Sequence, residues 1–203
     1  MNVRHMGDGA LLVQVRDSAE AQRLRHVLDA EQVPGMRQLV PGYDSLLIAV
    51  DPLVTDLDML ARRLPELLRA PQQASISRQH EIPVRYAGED LDAVATALGM
   101  DAAEVVRRHS AATYTVAFLG FAPGFAYLTG LDPALHVSRL ATPRTRTPEG
   151  AVAVAGEFTG VYPQATPGGW RVLGFTTNRL FDAARASPAL FAPGDHVRFK
   201  VIP

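Results

Sequence analysis

The sequence has 203 residues, 47% of them hydrophobic and 20% charged, with a formal net charge of -1, the composition of a globular chain of one or two domains and not of a disordered or fibrous one. A near-zero charge without runs of one sign gives no electrostatic footprint for nucleic acid or an anionic membrane. With Cys at 0 and Lys200 the sole lysine, thiol nucleophiles, thiolate zinc sites, disulfides and a phosphate-loop lysine are excluded together.

The opening run Met1-Asn2-Val3-Arg4-His5 lacks an apolar signal core, and no apolar stretch reaches the ~18 residues needed to cross a bilayer, so a soluble cytoplasmic protein is expected. Ala10–Val15 is apolar enough for a buried strand. Asp17 with Glu20 three residues on is a helix-capping pattern; the helix should run to about Ala30, with Ala21, Leu24, Val27 and Leu28 on one face. Strands follow over Met36–Val40 and Ser45–Val50, turned by Pro41-Gly42. Thr55 with Asp58 opens a second helix through Leu57, Leu60, Leu64, Leu67 and Leu68, kinked or divided at Pro65, whose ring displaces the carbonyl one turn back. A strand near Glu81–Arg85 completes a β-α-β-β-α-β order, the split arrangement of small two-layer domains. The polar interval 70–80 reads as a linker, so the expected fold class is α+β, with one domain over 1–80 and a second over 81–203.

In the second domain two short helices, Leu91–Leu98 and Ala102–His109, come first, the latter capped by Asp101 with Glu104. From Thr113 onward Gly and Pro recur between the apolar runs Tyr114–Leu119, Ala151–Ala155, Trp170–Phe175 and Val197–Ile202, the spacing of an all-β barrel or sandwich.

Three clusters carry the candidate chemistry. In Gly120-Phe121-Ala122-Pro123-Gly124-Phe125-Ala126-Tyr127-Leu128 the glycines permit close backbone approach, Pro123 stiffens a turn and the aromatics can wall a pocket; the alternative is a tight turn with core aromatics. Gly124 is expected to present backbone N–H groups to a ligand. In Thr142-Pro143-Arg144-Thr145-Arg146-Thr147-Pro148-Glu149-Gly150 a short loop between prolines holds two arginines; Arg144 suits a carboxylate or phosphate, and Arg146 reads as solvated. In Gly156-Glu157-Phe158-Thr159-Gly160-Val161-Tyr162-Pro163 and Thr166-Pro167-Gly168-Gly169-Trp170, a carboxylate, a hydroxyl, a phenol and the one Trp combine polar anchors with an apolar wall, although such a Trp is also an ordinary core residue. Asp195 after Gly194 reads as a turn without chemistry. The histidines show no paired ligand spacing, so no metal site is expected. His109, at a helix end, is either a charged cap on the helix dipole or a proton relay.

His109, Tyr114-Thr115-Val116, the Gly120–Leu128 run, Pro143-Arg144, Thr159-Gly160-Val161-Tyr162-Pro163, Pro167-Gly168-Gly169-Trp170 and Leu180-Phe181-Asp182, with Gly7-Asp8, Pro41-Gly42-Tyr43-Asp44-Ser45-Leu46 and Ile82-Pro83-Val84-Arg85-Tyr86 before them, resemble the B-type subunits of 5-oxoprolinase. That family is also named allophanate hydrolase subunit 1 and includes the Kip-type inhibitor of a sporulation histidine kinase. The resemblance covers nearly the whole chain. It implies a cyclophilin-like β-barrel as the second domain and ATP-dependent opening of the 5-oxoproline lactam to glutamate. It further implies ATP as a magnesium complex held largely by a partner, a C-type partner of the allophanate hydrolase subunit 2 family that completes the active cleft, and a further A-type component. Against the family pattern, Glu157-Phe158 stands where many members carry Asn-Gln, and Gly174-Phe175-Thr176-Thr177 where many carry Gly-Arg-Thr-Pro.

On this reading Arg144 and His109 are the catalytic candidates, the one steadying charge on phosphate and carbonyl oxygens, the other relaying a proton. Gly124, Phe125, Tyr127, Glu157, Thr159, Tyr162 and Trp170 bind the substrate, a small cyclic amide or ureido compound. Two readings compete with it: a regulatory module that inhibits a histidine kinase, which an exposed apolar patch would favour, and a prolyl isomerase, which rests on fold analogy alone. Without Cys, elbow serine or phosphate-loop lysine, the chain is expected to be inactive by itself.

Overall fold

The structure is a computed structural model that describes residues 1–69 and 77–203, and the chain divides into two compact units, Met1–Ile76 and Ser77–Pro203. The linker expected over 70–80 falls mostly on residues 70–76, outside the described residues. No helix among the described residues is long and apolar enough to cross a membrane.

The first unit runs β1 (Asn2–His5), β2 (Ala10–Gln14), α1 (Ser18–Glu31), β3 (Met36–Pro41), β4 (Ser45–Val50) and α2 (Leu57–Arg69). Its four strands form an antiparallel sheet in the order β1-β2-β4-β3. The Asp17 carboxylate accepts from the Glu20 amide at 2.8 Å, and the Glu20 carboxylate reaches back to the Arg16 amide at 2.8 Å, so α1 starts where the capping pattern placed it. At α2 the cap is Asp56 and not Thr55: Asp56 Oδ1 accepts from the amides of Asp58 and Met59, while the Thr55 hydroxyl donates to the Pro34 carbonyl. Pro65 lies within α2 on an exposed position, and the helix is not divided there. Leu24 and Leu28 of α1 and Leu60 and Leu64 of α2 pack with Leu11, Val13, Leu46 and Ile48 of the sheet into one core.

The β-α-β-β-α-β order is corrected by the pairing. The segment meant to complete it, β5 (Gln79–Val84), runs parallel to the last strand of the second unit, and the fourth strand of the first sheet is β1, a short polar stretch whose exposed side chains carry little alternation. The first unit therefore runs β-β-α-β-β-α, and the α+β class stands.

The second unit continues from β5 with α3 (Leu91–Leu98), α4 (Ala102–Ala111), β6 (Tyr114–Leu119), β7 (Ala126–Thr129), β8 (Arg144–Thr147), β9 (Ala151–Ala155), β10 (Phe158–Val161), β11 (Thr166–Gly168), β12 (Arg171–Phe175) and β13 (His196–Val201). Seven strands form one sheet in the order β12-β9-β10-β7-β6-β13-β5. Its two edges meet where Arg85 and Phe175 exchange backbone hydrogen bonds of 2.9 Å in both directions, which nearly closes the sheet into the expected barrel. The short loop expected around Arg144 and Arg146 is instead β8, paired with β11 as a separate two-stranded ribbon. Strand β9 is buried on both faces: Val152 and Val154 enter the barrel core with Val116, Leu128, Leu173 and Phe199, while Ala151, Ala153 and Ala155 lie under a second, aromatic cluster. Small side chains on that face leave room for large rings.

Candidate functional site

Strand periodicity sorts the candidate residues. Along β10 Thr159 and Val161 point into the barrel, whereas Gly160 and the following Tyr162 face the aromatic cluster. The motif that is continuous in sequence thus serves two separate environments.

In the first environment His109 is fully buried. The Thr159 hydroxyl donates to the Ala153 carbonyl at 3.0 Å, so it accepts from His109 Nε2–H at 2.8 Å, which leaves Nδ1 to accept from the Tyr86 hydroxyl at 2.7 Å. The tautomer is assigned by this one-directional chain. The ring stacks on Phe199 at 4.8 Å, and burial lowers its pKa from 6.5 to about 3, so it is neutral at pH 7. The charged-cap reading of His109 is therefore corrected: an uncharged imidazole has no monopole to set against the helix dipole. Burial likewise raises the Tyr86 phenol, keeping it protonated as a donor.

The second environment gathers Phe125, Tyr127, Tyr162 and Trp170. Phe125 stands edge-on to both Trp170 and Tyr162 at 5.3 Å, Tyr127 edge-on to Trp170 at 5.5 Å, and Tyr127 stacks on Phe118 at 4.4 Å. These contacts follow the ring quadrupoles. A Cβ at Gly160 would lie 3.2 Å from Trp170 Cζ3 and 2.8 Å from the Ala126 carbonyl, so glycine is what lets the rings close over β10. Burial raises the Tyr162 phenol, partly offset by the Trp170 backbone and Thr147. Phe125, Tyr162 and Trp170 are each buried to within a few per cent.

Above the cluster is a strained, exposed aromatic. The Ala122 amide bonds the Gly120 carbonyl at 2.8 Å around Phe121, which has φ 68 and is 61% exposed. A bulky residue at the centre of a three-residue turn with positive φ is uncommon and costs free energy. Its ring stands 5.4 Å from that of Phe125. Gly124, at φ 80, is packed against Phe181 and is buried. Glu157 sits exposed at the turn between β9 and β10.

Arg144 is held by acids that sequence reasoning missed. Its Nη2 donates to both oxygens of Asp90 at 2.7 Å, Nε pairs with Glu89 at 2.7 Å, and Nη1 donates to the Trp170 carbonyl at 3.3 Å. Asp90 also accepts from the Val172 amide at 2.7 Å. Asp90 thus ties the start of α3 to β12, Arg144 ties β8 to Asp90 and to the Trp170 backbone, and two carboxylates already meet the arginine's charge. Asp90 precedes α3 at a cap position yet makes no side-chain cap bond, so the sequence offers only its place before Leu91 as a signal. Asp195, read as a turn, is also a hub: it accepts from the Arg78 and Ala192 amides and bonds His80 Nε2 at 2.8 Å. Among the described residues no three His, Asp or Glu side chains are grouped to hold a metal ion.

Residues 1–191 match the family described as carboxyltransferase domain, subdomain C and D. The 5-oxoprolinase B-type subunit of Escherichia coli O157:H7 is 42% identical over 82% of this chain and 78% of its own length, and that of Haemophilus influenzae is 36% identical over 99% of this chain and 98% of its own. The chain belongs to the family of 5-oxoprolinase B-type subunits. Among solved structures TTHA0988 matches with a TM-score of 0.81 and 39% identity over 100% of this chain. The match spans only 40% of the TTHA0988 chain.

Proposed function

We propose that this protein is the B-type subunit of a cytoplasmic, ATP-dependent amide hydrolase that opens 5-oxoproline to glutamate, working with a C-type partner and an A-type component. The chain-long match to relatives that bear the name of this 5-oxoprolinase component supports the reaction class. One structural observation supports a shared site: His109 and Arg144 are spent on partners within the chain, while a strained Phe121 stands in solvent beside the aromatic cluster. Bound ATP would supply the phosphoryl group that turns the lactam oxygen into a leaving group. The barrel unit's part is to present the Phe121 face to the partner, whose cover excludes water from the reacting carbonyl. Arg144 and His109 act as positioning residues in this scheme. Arg144 fixes the Trp170 backbone just before β12, and the Tyr86–His109–Thr159 chain fixes β10 beneath the rings.

Co-expression with a C-type partner, size exclusion and an ATP-coupled 5-oxoproline assay test this. The expected result is a lasting complex and activity only in the assembly. Phe121→Gly, which relieves the positive φ, should leave the single chain folded and weaken the complex. A single chain that opens 5-oxoproline as fast as the mixture overturns the shared site.

A further inference from the structure

The first unit contains a cleft of about 720 Å³ lined by Arg16, Glu20, Arg23, Pro65, Leu68 and Arg69 with Met1. Its construction follows from helix spacing. Glu20 and Arg23 are three residues apart on α1, and Pro65, Leu68 and Arg69 lie three and four apart on α2, so each helix turns one stripe into the groove. Three arginines and a single carboxylate line it. Glu20 is buried and bonds Arg16 twice, Nε at 3.0 Å and Nη2 at 2.9 Å, which fixes that guanidinium at the rim.

The other arginines of this unit divide into paired and unpaired ones. Arg25 pairs with Asp29, Arg37 with Asp51 and Arg63 with Glu31, each within 3.0 Å. Arg23 and Arg69, like Arg4 and Arg62, form no ion pair among the described residues, and of these four it is Arg23 and Arg69 that line the cleft. Concentrated like charge in a concave site lowers the free energy of an anion there. A single carboxylate would leave guanidiniums unmatched. A phosphate chain carries several charges that can be shared among the arginines, and Arg is the better bidentate partner for it. Pro65 and Leu68 supply an apolar wall, and the volume lies in the range of small-molecule sites.

We propose that this cleft binds a nucleoside triphosphate, with Arg16, Arg23 and Arg69 on the phosphate chain and the base against Pro65 and Leu68. Use of that nucleotide in ring opening rests on the function proposed above; the binding site does not.

Calorimetry of the purified chain with ATP, tripolyphosphate and adenosine, each at low and high salt, tests the site. ATP should bind most tightly, tripolyphosphate more weakly and adenosine least, with the two anions losing affinity as salt rises. Arg23→Ala and Arg69→Ala should each weaken ATP by roughly tenfold to a hundredfold, the worth of one charge-assisted hydrogen bond. Arg62→Ala, an exposed cation on α2 outside the cleft, should leave affinity unchanged. Tripolyphosphate binding as tightly as ATP overturns the base contact, and ATP binding that is absent, or equal in the Arg23→Ala/Arg69→Ala double variant, overturns the site. In the last case an assembly that still opens 5-oxoproline would leave the proposed function standing. Cleft-dependent ATP binding in an assembly that opens no amide would remove the function and keep the site.

Discussion

Burial has made His109 a base that is almost never protonated, and this has a pH signature. Unfolded, its imidazole takes a proton near 6.5; folded, only near about 3. Between those values the unfolded chain holds one more proton, so His109 penalises the native state increasingly as pH falls from 6.5, by about 1.4 kcal/mol per unit, and not at all above it. Urea titrations from pH 7 to 5 should show His109→Gln with a slope shallower by that one proton, and equal slopes would mean that the ring is reached by water. For Arg144 the prediction concerns what it leaves behind. Arg144→Ala strands the buried Asp90 carboxylate with one amide donor and should cost about 3 kcal/mol in denaturant melts. Asp90→Asn in the same chain should recover part of it, whereas purely additive losses would show that the pair is not coupled. Arg144 was visible in the sequence as a Pro-flanked cation, but its partners lie 54 and 55 positions away at Asp90 and Glu89, and no local pattern announces a long-range ion pair.

At the scale of elements, what could be read was what local chemistry decides. Asp17 and Asp101 cap their helices as spaced, and the apolar runs of β4, β6 and β9 are strands at the expected residues. The polar β1, and β8 and β11 with their Arg, Thr and Pro, were missed because pairing and not side-chain burial holds them extended. The Thr159–Tyr162 cluster was found, yet its division between barrel interior and aromatic face follows only once β10 is known to be a strand. Two glycines of positive φ separate conformation from space. At Gly124 a Cβ would lie 2.7 Å from Phe181 Cβ and 3.2 Å from the Leu180 carbonyl, whereas at Gly156 it would meet nothing within 4 Å. Gly156→Ala should therefore cost about 1 kcal/mol, the backbone contribution alone. Gly124→Ala should cost roughly 2–4 kcal/mol, backbone plus overpacking. Equal shifts in thermal midpoint for the two variants would contradict this account.

At the scale of the whole molecule, β5 belongs with the barrel. A fragment of residues 77–203 retains Gln79 and His80 opposite His196 and Val197, and keeps both the Arg78 amide and His80 on the buried Asp195. It should unfold in one cooperative step, since it has its own core and near-closed sheet. A fragment of 81–203 leaves Asp195 with the Ala192 amide and should be less stable by about 2–5 kcal/mol. Indistinguishable guanidinium midpoints for the two fragments would show that the pairing of Gln79 and His80 with β13 adds nothing. The division between Ile76 and Ser77 falls inside the interval 70–80 read as the linker, but the pairing of β5 was hidden from sequence reading because its partner is a strand more than a hundred residues later, joined to it in parallel.

The position of β13, between β6 and β5 in the sheet, also bears on how the protein is made. On the ribosome, β5 and β6 emerge early and cannot bond each other across the slot that β13 will fill. They must wait, with ladder groups unpaired, while the intervening strands are translated. The barrel closes once β13 is available, by its insertion between β6 and β5 and not by adding to an edge. A nascent chain that ends before His196 thus presents two open sheet edges, on β5 and β6.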